Sequence, residues 1–440
     1  MAVSSGKEAR IHIYFFLLLM YTISIMEFGM HFISPFADMS VLLGTRPTTT
    51  NMRHTLNEEI EFSRKMASGR NNEFIMKFTE TLSNNQTSEN NFASLVLKDN
   101  KIYCRKSQMK ALSRGKYFVQ MLRQGLMQNP IRTPDGTPWI DGIPILIKHD
   151  DSNGCYPATH IDKYGFPRLT WSVPSDMTGH DESALSSFSS PPTSWCSAIG
   201  MPSYKIWRDL KNDTNKFLSS TMNSDNVTPW SAKLSKAVWR GSTTYNNGMY
   251  GHLPFLELPR SRLVKSSMER PDLIDAGFHK LVGKFDKLQI DDTIGKMMKE
   301  VVPLKEMMRY KAIIDIDGNN WSARFPSLLC TNSVIIKITP DFVEHTTDTL
   351  QPNIHFIPSS LDNLTAVVEN VMDGDNDEEM KNIVSNAYWW CHSTMRKESI
   401  AKRAVESLEK YIAAIDQHVG KGWPRGLVQK LGDDLVECSV

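Results

Sequence analysis

The chain has 440 residues, enough for two domains beyond a short leader, and 40% of them are hydrophobic, which is ordinary for packed cores. Fifty Lys and Arg against 49 Asp and Glu leave a formal net charge of +1, so there is no basic field to attract nucleic acid, and nucleic acid is excluded as a partner. The sequence holds no internal repeat, phosphate-binding P-loop, G-x-S-x-G elbow or Cys-x-x-Cys pair, which argues against solenoids, P-loop NTPases, α/β-hydrolases and thioredoxin-like redox chemistry.

Lys7 and Arg10 precede an apolar run over residues 11–26 that only His12, Thr22 and Ser24 interrupt. After Glu27, residues 28–36 are again largely apolar. The run lies between a secretory h-region of about 7–15 residues and a membrane span of about 20. No clear small-x-small cleavage site follows. Residues 1–36 therefore read as a cytosolic tail and uncleaved signal-anchor, with the rest of the chain lumenal. A buried core helix is the alternative, and the extreme N-terminal position with basic flanks disfavours it. Residues 37–70 are polar and irregular and read as a stem.

Residues 71–235 read as an N-terminal, acceptor-side α/β domain. Ala111, Phe118, Met121, Leu122 and Leu126 give residues 107–126 one apolar helical face. Residues 143–147 form an apolar strand that runs into Lys148-His149-Asp150-Asp151. Residues 172–202 are rich in Ser, Pro, Gly and Asp and read as a long loop lining an acceptor cleft. Trp195 and Trp207 are available to stack on a sugar or peptide, although core packing is the commoner use of Trp. The boundary to the next domain falls near residues 220–236.

Residues 236–398 read as a C-terminal donor domain of βα units. A strand over 236–239 leads into Trp239-Arg240-Gly241-Ser242-Thr243-Thr244. An Arg, a Gly and three hydroxyls in one turn suit an anion or sugar nucleotide; a surface turn capped by Ser and Thr is the alternative. Residues 312–316 are a short apolar run, long enough for a buried parallel strand. Gly318 then allows a sharp turn, and Ser322 is placed to cap a helix over 323–329. A helix N-terminus at the carboxyl end of a parallel strand, with Arg324 beside it, suits a diphosphate. A plain α/β scaffold without ligand is the alternative. Residues 334–338 read as the next parallel strand.

Asp315-Ile316-Asp317 spells D-x-D, and strand alternation points both acids the same way. Metal binding is geometrically possible there, against the simpler reading of an Asp at a strand end. His149, His160 and His355 show no metal-ligand spacing, and His355 reads as structural within a strand-like run. Helices are expected over 378–395 and 399–417. The second has Ala401, Val405, Leu408, Ile412 and Ile415 on one face, so residues 399–440 read as a segment packing back on the first domain.

Trp239-Arg240-Gly241-Ser242, Leu273-Ile274-Asp275-Ala276, Tyr310-Lys311, Asp317-Gly318 and Trp321-Ser322-Ala323-Arg324 recur in this order with Leu328-Leu329-Cys330, the run from Ser333 to Lys337, the run from Leu350 to Pro358, and Asp362-Asn363-Leu364. Together they resemble glycosyltransferase family 90, the capsule-associated and Rumi-type protein O-glucosyltransferases. The resemblance runs from about residue 239 to 391. It implies an α/β GT-B-like fold, two Rossmann-type domains with a cleft between them. It implies inverting transfer of glucose or xylose from a UDP-sugar to a hydroxyl of a protein or glycan acceptor.

By the same resemblance, Arg240, Ser242 and Thr244 contact donor phosphate or sugar, Gly318, Ser322 and Arg324 hold the uridine diphosphate, and Asp275 joins the donor set. The family places its catalytic base just after a strand of the N-terminal half. That position falls on Asp151, with Asp150 second; acids that merely solvate a loop are the alternative. Where relatives often carry a Pro after this acid, Ser152-Asn153-Gly154 follows here. No bound cofactor is implied beyond the donor substrate, and a divalent metal is not expected. A non-catalytic lumenal sugar- or protein-binding relative that kept the fold is the second reading.

A secretory location follows from the N-terminal segment, with the Golgi favoured over the ER because Glu437-Cys438-Ser439-Val440 is not a KDEL-type signal. The six cysteines are even in number and suit disulfides in a lumen, but their pairing is unreadable from sequence. Asn85, Asn212, Asn226, Asn320 and Asn363 begin N-x-Ser/Thr sequons, and a glycan on Asn320 would conflict with the proposed donor site.

Overall fold

The computed structural model describes residues 92–105, 114–132, 142–148, 155–156, 161–162, 168–175, 196, 198–211, 228–286, 291–419 and 435–438. The chain divides into Met1–Gly69 and Arg70–Val440, and every described residue lies in the second. The signal-anchor and stem lie outside the described residues, as do His149, Asp150, Asp151, His160, Trp195 and the sequons at Asn85, Asn212 and Asn226. Among the described residues no helix is long and apolar enough to cross a membrane.

The strands in chain order are β1 (Phe92–Lys98), β2 (Lys101–Arg105), β3 (Ile143–Lys148), β4 (Cys155–Tyr156), β5 (Ile161–Asp162), β6 (Arg168–Thr170), β7 (Ser172–Pro174), β8 (Ala198–Gly200), β9 (Leu234–Ser242), β10 (Ile274–Lys280), β11 (Tyr310–Asp315), β12 (Val334–Ile338), β13 (Phe342–Glu344), β14 (Ile357–Ser359) and β15 (Leu435–Glu437). They build a mixed α/β fold with two principal sheets. The first has the order β15-β2-β1-β3-β6-β8. Its opening hairpin closes on Asp99 and Asn100, both at positive φ (50° and 56°), the turn geometry that Asp and Asn tolerate. β3, β6 and β8 then run parallel.

The second sheet, β10-β9-β11-β12-β14, is parallel throughout. Alternation along its strands sorts the residues by face. Ala237, Trp239, Ala312, Ile314, Val334 and Ile336 share a core with Leu263, Val368, Met380 and Ile383 on the covering helices. Val238, Ile313 and Ile335 face the other way, into a core shared with Ile145, Ile147 and Leu169 of the first sheet. That second face turns polar at Arg240, Asp315 and Lys337 near the carboxyl ends, and at Asp275 near the start of β10. The strand order reverses direction between β9 and β11, the position where open parallel sheets leave a crevice for ligands.

The helix Lys397–Val419 returns to the first sheet. It crosses the helix Gly115–Gln128 so closely that a Cβ on Gly125 would lie 2.4 Å from the Ala401 carbonyl oxygen. Its Tyr411 hydroxyl donates to Pro144 O and accepts from Leu146 N on β3, both at 3.1 Å. Beyond the helix, β15 pairs with β2, and Cys438 forms a disulfide with Cys104 across 334 residues of sequence. Cys330 and Cys391 form another, and Cys196 is also disulfide-bonded.

The two ends of the 172–202 segment are not loop, and residues 176–195 and 197 between them lie outside the described residues. β7 pairs with β13, and β8 is buried at the edge of the first sheet, because Val173, Ala198 and Ile199 find apolar partners. Trp207 lies in the core, its Nε1 donating to Gln120 Oε1 at 3.3 Å. His355 sits in a turn before β14, where its Nδ1 accepts from Gln351 N at 3.0 Å.

Candidate functional site: a guanidinium-lined cleft at the strand ends

A cleft of about 340 Å³ opens at the carboxyl ends of β9 and β11. It brings together Arg240, Ser242, Thr244, Gly318, Ser322 and Arg324, six positions singled out from sequence, with Arg260, His279 and the Tyr204-Lys205 pair. Asp275, the seventh, lies beneath it rather than on its wall.

Local structure differs from the sequence reading in two ways. Arg240-Gly241-Ser242 is not a turn but the last stretch of β9, pairing with Gly277, Phe278 and Lys280 of β10. Ser322 does not cap a helix. Its hydroxyl donates to Asp315 Oδ1 at 2.5 Å, and the helix is only Phe325–Leu328, begun by Pro326 in its first turn. So short a helix offers little dipole, and the charge in the cleft comes from side chains.

Arg240 points along the polar face of the sheet, and its N–H groups are taken by the protein. Nε donates to Glu300 O at 3.0 Å, Nη1 to Trp239 O and Asp275 O at 2.9 and 2.7 Å, and Nη2 to both Asp275 carboxylate oxygens at 3.0 and 3.1 Å. Asp275 also accepts from Lys299 Nζ at 2.7 Å and Tyr310 Oη at 2.8 Å. Burial pushes the Asp275 carboxyl up, but the hydrogen bonds from Lys299 and Tyr310 and the charges of Arg240 and Lys299 outweigh it and hold it below the ordinary carboxylate value. Arg240 and Asp275 form a pair that fixes the floor of the cleft.

Arg324 is differently placed. Nη1 donates to Arg240 O at 2.7 Å, Nε lies 3.5 Å from Asp315 Oδ1, and Nη2 is buried with no hydrogen-bond partner. A guanidinium nitrogen left without an acceptor is costly unless a ligand supplies one.

Arg260 went unread in the sequence. It sits in the first turn of the helix Pro259–Glu269, where a cation has the wrong sign for the helix dipole. That misfit was the available signal. The structure explains it: Arg260 straps β9 to β11, with Nε on Asp317 O (2.8 Å), Nη1 on Ser242 O (3.0 Å) and Thr244 Oγ1 (2.6 Å), and Nη2 on Ile316 O (3.2 Å). The guanidinium carbons of Arg260 and Arg324 lie 5.5 and 5.9 Å from the Trp239 ring, and burial with the Arg324 charge brings Arg260 down to about 9. His279 is likewise held below the ordinary imidazole value by burial and by the charges of Arg324 and Arg260.

Gly318 does not serve a left-handed turn. It allows close approach, since a Cβ there would lie 3.0 Å from both Arg260 Nη2 and Thr244 Oγ1.

The two acids of the D-x-D motif share one cation. Lys337 Nζ donates to Asp315 Oδ2 at 2.8 Å and Asp317 Oδ1 at 2.7 Å, placing an ammonium where a divalent ion would have to bridge them. Burial pushes Asp315 up, but the Lys337 and Arg324 charges hold it below the ordinary value; Asp317 is raised, chiefly by burial. Among the described residues no group of three or more His, Cys, Asp or Glu is set to hold a metal. Asn320 is buried, its amide donating to Ser172 Oγ at 2.7 Å, so this sequon has no room for a glycan in the fold.

The sequence profile described as glycosyl transferase family 90 matches residues 174–423. Zebrafish (Danio rerio) protein O-glucosyltransferase 2 is 26% identical over 259 residues, 57% of this chain and 48% of that protein. Human protein O-glucosyltransferase 3 is 26% identical over 231 residues, 50% of this chain and 42% of that protein. Human protein O-glucosyltransferase 1 is 24% identical over 211 residues, 47% of this chain and 50% of that protein. The chain thus spans about half the length of these relatives. Among solved structures, the Anabaena HepE protein in complex with UDP and glucose is 7% identical with a TM-score of 0.33, covering 68% of this chain and 76% of that one, a likeness too slight to build on. With more than half of its length inside the matched profile, the chain belongs to glycosyl transferase family 90.

Proposed function

We propose that the chain is an inverting glycosyltransferase of GT-B architecture that moves glucose or xylose from a UDP-sugar to a hydroxyl of a protein or glycan acceptor. One observation carries this reading. Two guanidiniums, Arg260 and Arg324, flank Trp239 at the switch point of a parallel sheet, and Arg324 Nη2 has no acceptor. Like charges held together in a buried cleft suit a ligand with two adjacent anionic groups, such as a diphosphate. The O-glucosyltransferase names of the relatives supply the sugar and the acceptor hydroxyl.

In this mechanism the acceptor oxygen attacks the anomeric carbon from the side opposite the diphosphate, and the glycosidic bond to the β-phosphate oxygen breaks. Asp151, or Asp150 in second place, takes the acceptor proton. Arg324 and Arg260 stabilise the charge that develops on the departing diphosphate. Ser242, Thr244, Gly318 and Ser322 border the donor, while Arg240 and Asp275 hold the strand ends in position. The Lys337 ammonium between Asp315 and Asp317 argues for metal-independent transfer.

The compartment is the secretory lumen, the Golgi before the ER, with the N-terminal segment as a type II signal-anchor. Disulfides at Cys104–Cys438 and Cys330–Cys391 support an oxidising environment. The test is a panel of UDP-sugars read out by UDP release, with and without EDTA. Release with UDP-glucose or UDP-xylose, unaffected by EDTA, is expected. UDP binding without release for any sugar and acceptor would leave the non-catalytic relative instead.

A further inference from the structure

Among the described residues, four basic side chains stand on the cleft wall, Lys205, Arg240, Arg260 and Arg324, with one imidazole, that of His279, and no carboxylate. The backbone sets the place of His279. β10 pairs Phe278 with Gly241 and Lys280 with Ser242, so His279 is the extra residue of a bulge. Alternation keeps it on the face of Asp275 and Gly277, away from Ile274, Ala276 and Phe278 in the core behind the sheet. A bulge re-aims a side chain, and here it sets the ring at the cleft. The charges around the ring are of one sign. Arg240 acts on it from β9, Arg260 from the helix Pro259–Glu269, Arg324 from the segment after β11 and Lys280 from the next position on β10. Burial and these charges hold the imidazole below its ordinary value, so it is neutral at pH 7 in the empty cleft. Lys205 lines the same cleft from the helix Tyr204–Lys211 and is paired with Asp209 at 3.0 Å. Lys299 packs against Gly277 and donates to Asp275 at 2.7 Å, and that acid is held beneath the cleft by Arg240 and Tyr310 as well.

We propose that His279 is a further ligand of the diphosphate, which takes a proton from solvent as the phosphates enter the cleft and holds them as an imidazolium. The role rests on the donor-site reading above and deepens it. A diphosphate brings negative charge into a cleft whose wall has no acid of its own. That charge offsets the repulsion from Arg324, Arg260, Lys280 and Arg240 and favours the protonated ring. An imidazole is the group on this wall whose charge follows the ligand near neutral pH, because a guanidinium stays charged throughout. The sign follows from linkage. The complex binds a proton that the empty protein does not, so affinity rises as pH falls from the bound imidazole value towards the free one, and levels off below the free value. The same imidazolium adds to the stabilisation of charge on the departing diphosphate.

The test is calorimetry on the whole chain with UDP and with inorganic pyrophosphate, from pH 6 to pH 8, in pairs of buffers that differ in ionisation heat. The native protein is compared with His279→Gln and His279→Lys. The dependence of the heat on the buffer counts the protons taken up. Titration of the ligands themselves is common to all three proteins and cancels in the differences. With either ligand the native protein should take up about 0.5 proton or more beyond His279→Gln at pH 7, and its affinity should fall with rising pH more steeply than the variant's, by up to about tenfold per pH unit, the limit for one linked proton. His279→Lys, charged in both states, should bind UDP within a few-fold of the native protein at pH 6 and show none of the extra uptake. Should His279→Gln fail to fold, the difference between the native protein and His279→Lys decides. Equal uptake in the native and variant proteins, with UDP still bound, overturns the role of His279 and leaves the donor site standing. Extra uptake with UDP but not with pyrophosphate overturns the assignment to the phosphates. If neither ligand binds, the donor-site reading itself falls, and the role of His279 with it.

Discussion

Arg324 donates from Nη1 to the main-chain carbonyl of Arg240 across 2.7 Å, joining two segments 84 residues apart. The bond sets the cleft geometry, because it holds the Arg324 fork against the end of β9 while Nη2 stays unmatched. Arg324→Ala removes that fork. UDP affinity should fall about 10- to 150-fold, as expected for a charge-assisted contact of about 1.5–3 kcal/mol. Calorimetry measures it, and unchanged affinity would move the diphosphate elsewhere.

The proton acceptor is tested separately from binding. Asp151→Asn should leave UDP affinity intact and lower turnover by about 10²- to 10⁴-fold, the usual contribution of a general base. Full activity in that variant, with loss in Asp150→Asn, would assign the role to Asp150.

Asp275 answers to pH. Its folded carboxyl titrates below the unfolded value of about 3.9. Its contribution to stability is therefore complete above that value and disappears as pH falls through the folded one. Asp275→Ala strips Arg240, Lys299 and Tyr310 of a shared acceptor. The site is partly exposed, so a loss of about 2–3 kcal/mol is expected at neutral pH, below the range for a fully buried pair. Denaturant unfolding at pH 7 and pH 3 should show the native and variant proteins converging at the lower pH.

Gly125→Ala tests the contact between helices. A methyl group would be driven against the Ala401 carbonyl oxygen and the Val405 side chain. Overpacking of this kind costs about 1–3 kcal/mol. Thermal unfolding should show a lower Tm, with UDP affinity unchanged because the cleft lies elsewhere.

Much of the C-terminal half was legible because its apolar strands are short and sharply bounded. Residues 334–338 fold as β12 over the expected span, and residues 312–315 of the expected run lie in β11. The misreadings have specific causes. Gly241 suggested a turn, but β10 alongside keeps Arg240-Gly241-Ser242 extended. Ser322 suggested a cap, yet a buried carboxylate on Asp315 is the stronger attraction for its hydroxyl. Lys337 was readable in hindsight, since a lysine inside Val334-Ile335-Ile336-Lys337-Ile338 needs a buried counter-charge. Arg240 and Asp275 stand on neighbouring strands, and only parallel pairing of β9 with β10 makes them partners.

The bond between Cys104 and Cys438 bears on how the protein is made. β2 lies between β1 and β15, so its outer edge stays bare until residues 435–437 are available. The 334 residues that separate Cys104 from Cys438 must be made before that edge is covered. During that interval Cys104 is an open thiol beside an unsatisfied strand, the combination most prone to wrong cross-links. Newly synthesised chains should thus depend on isomerases and holdases until residue 438 has been made, rather than only early.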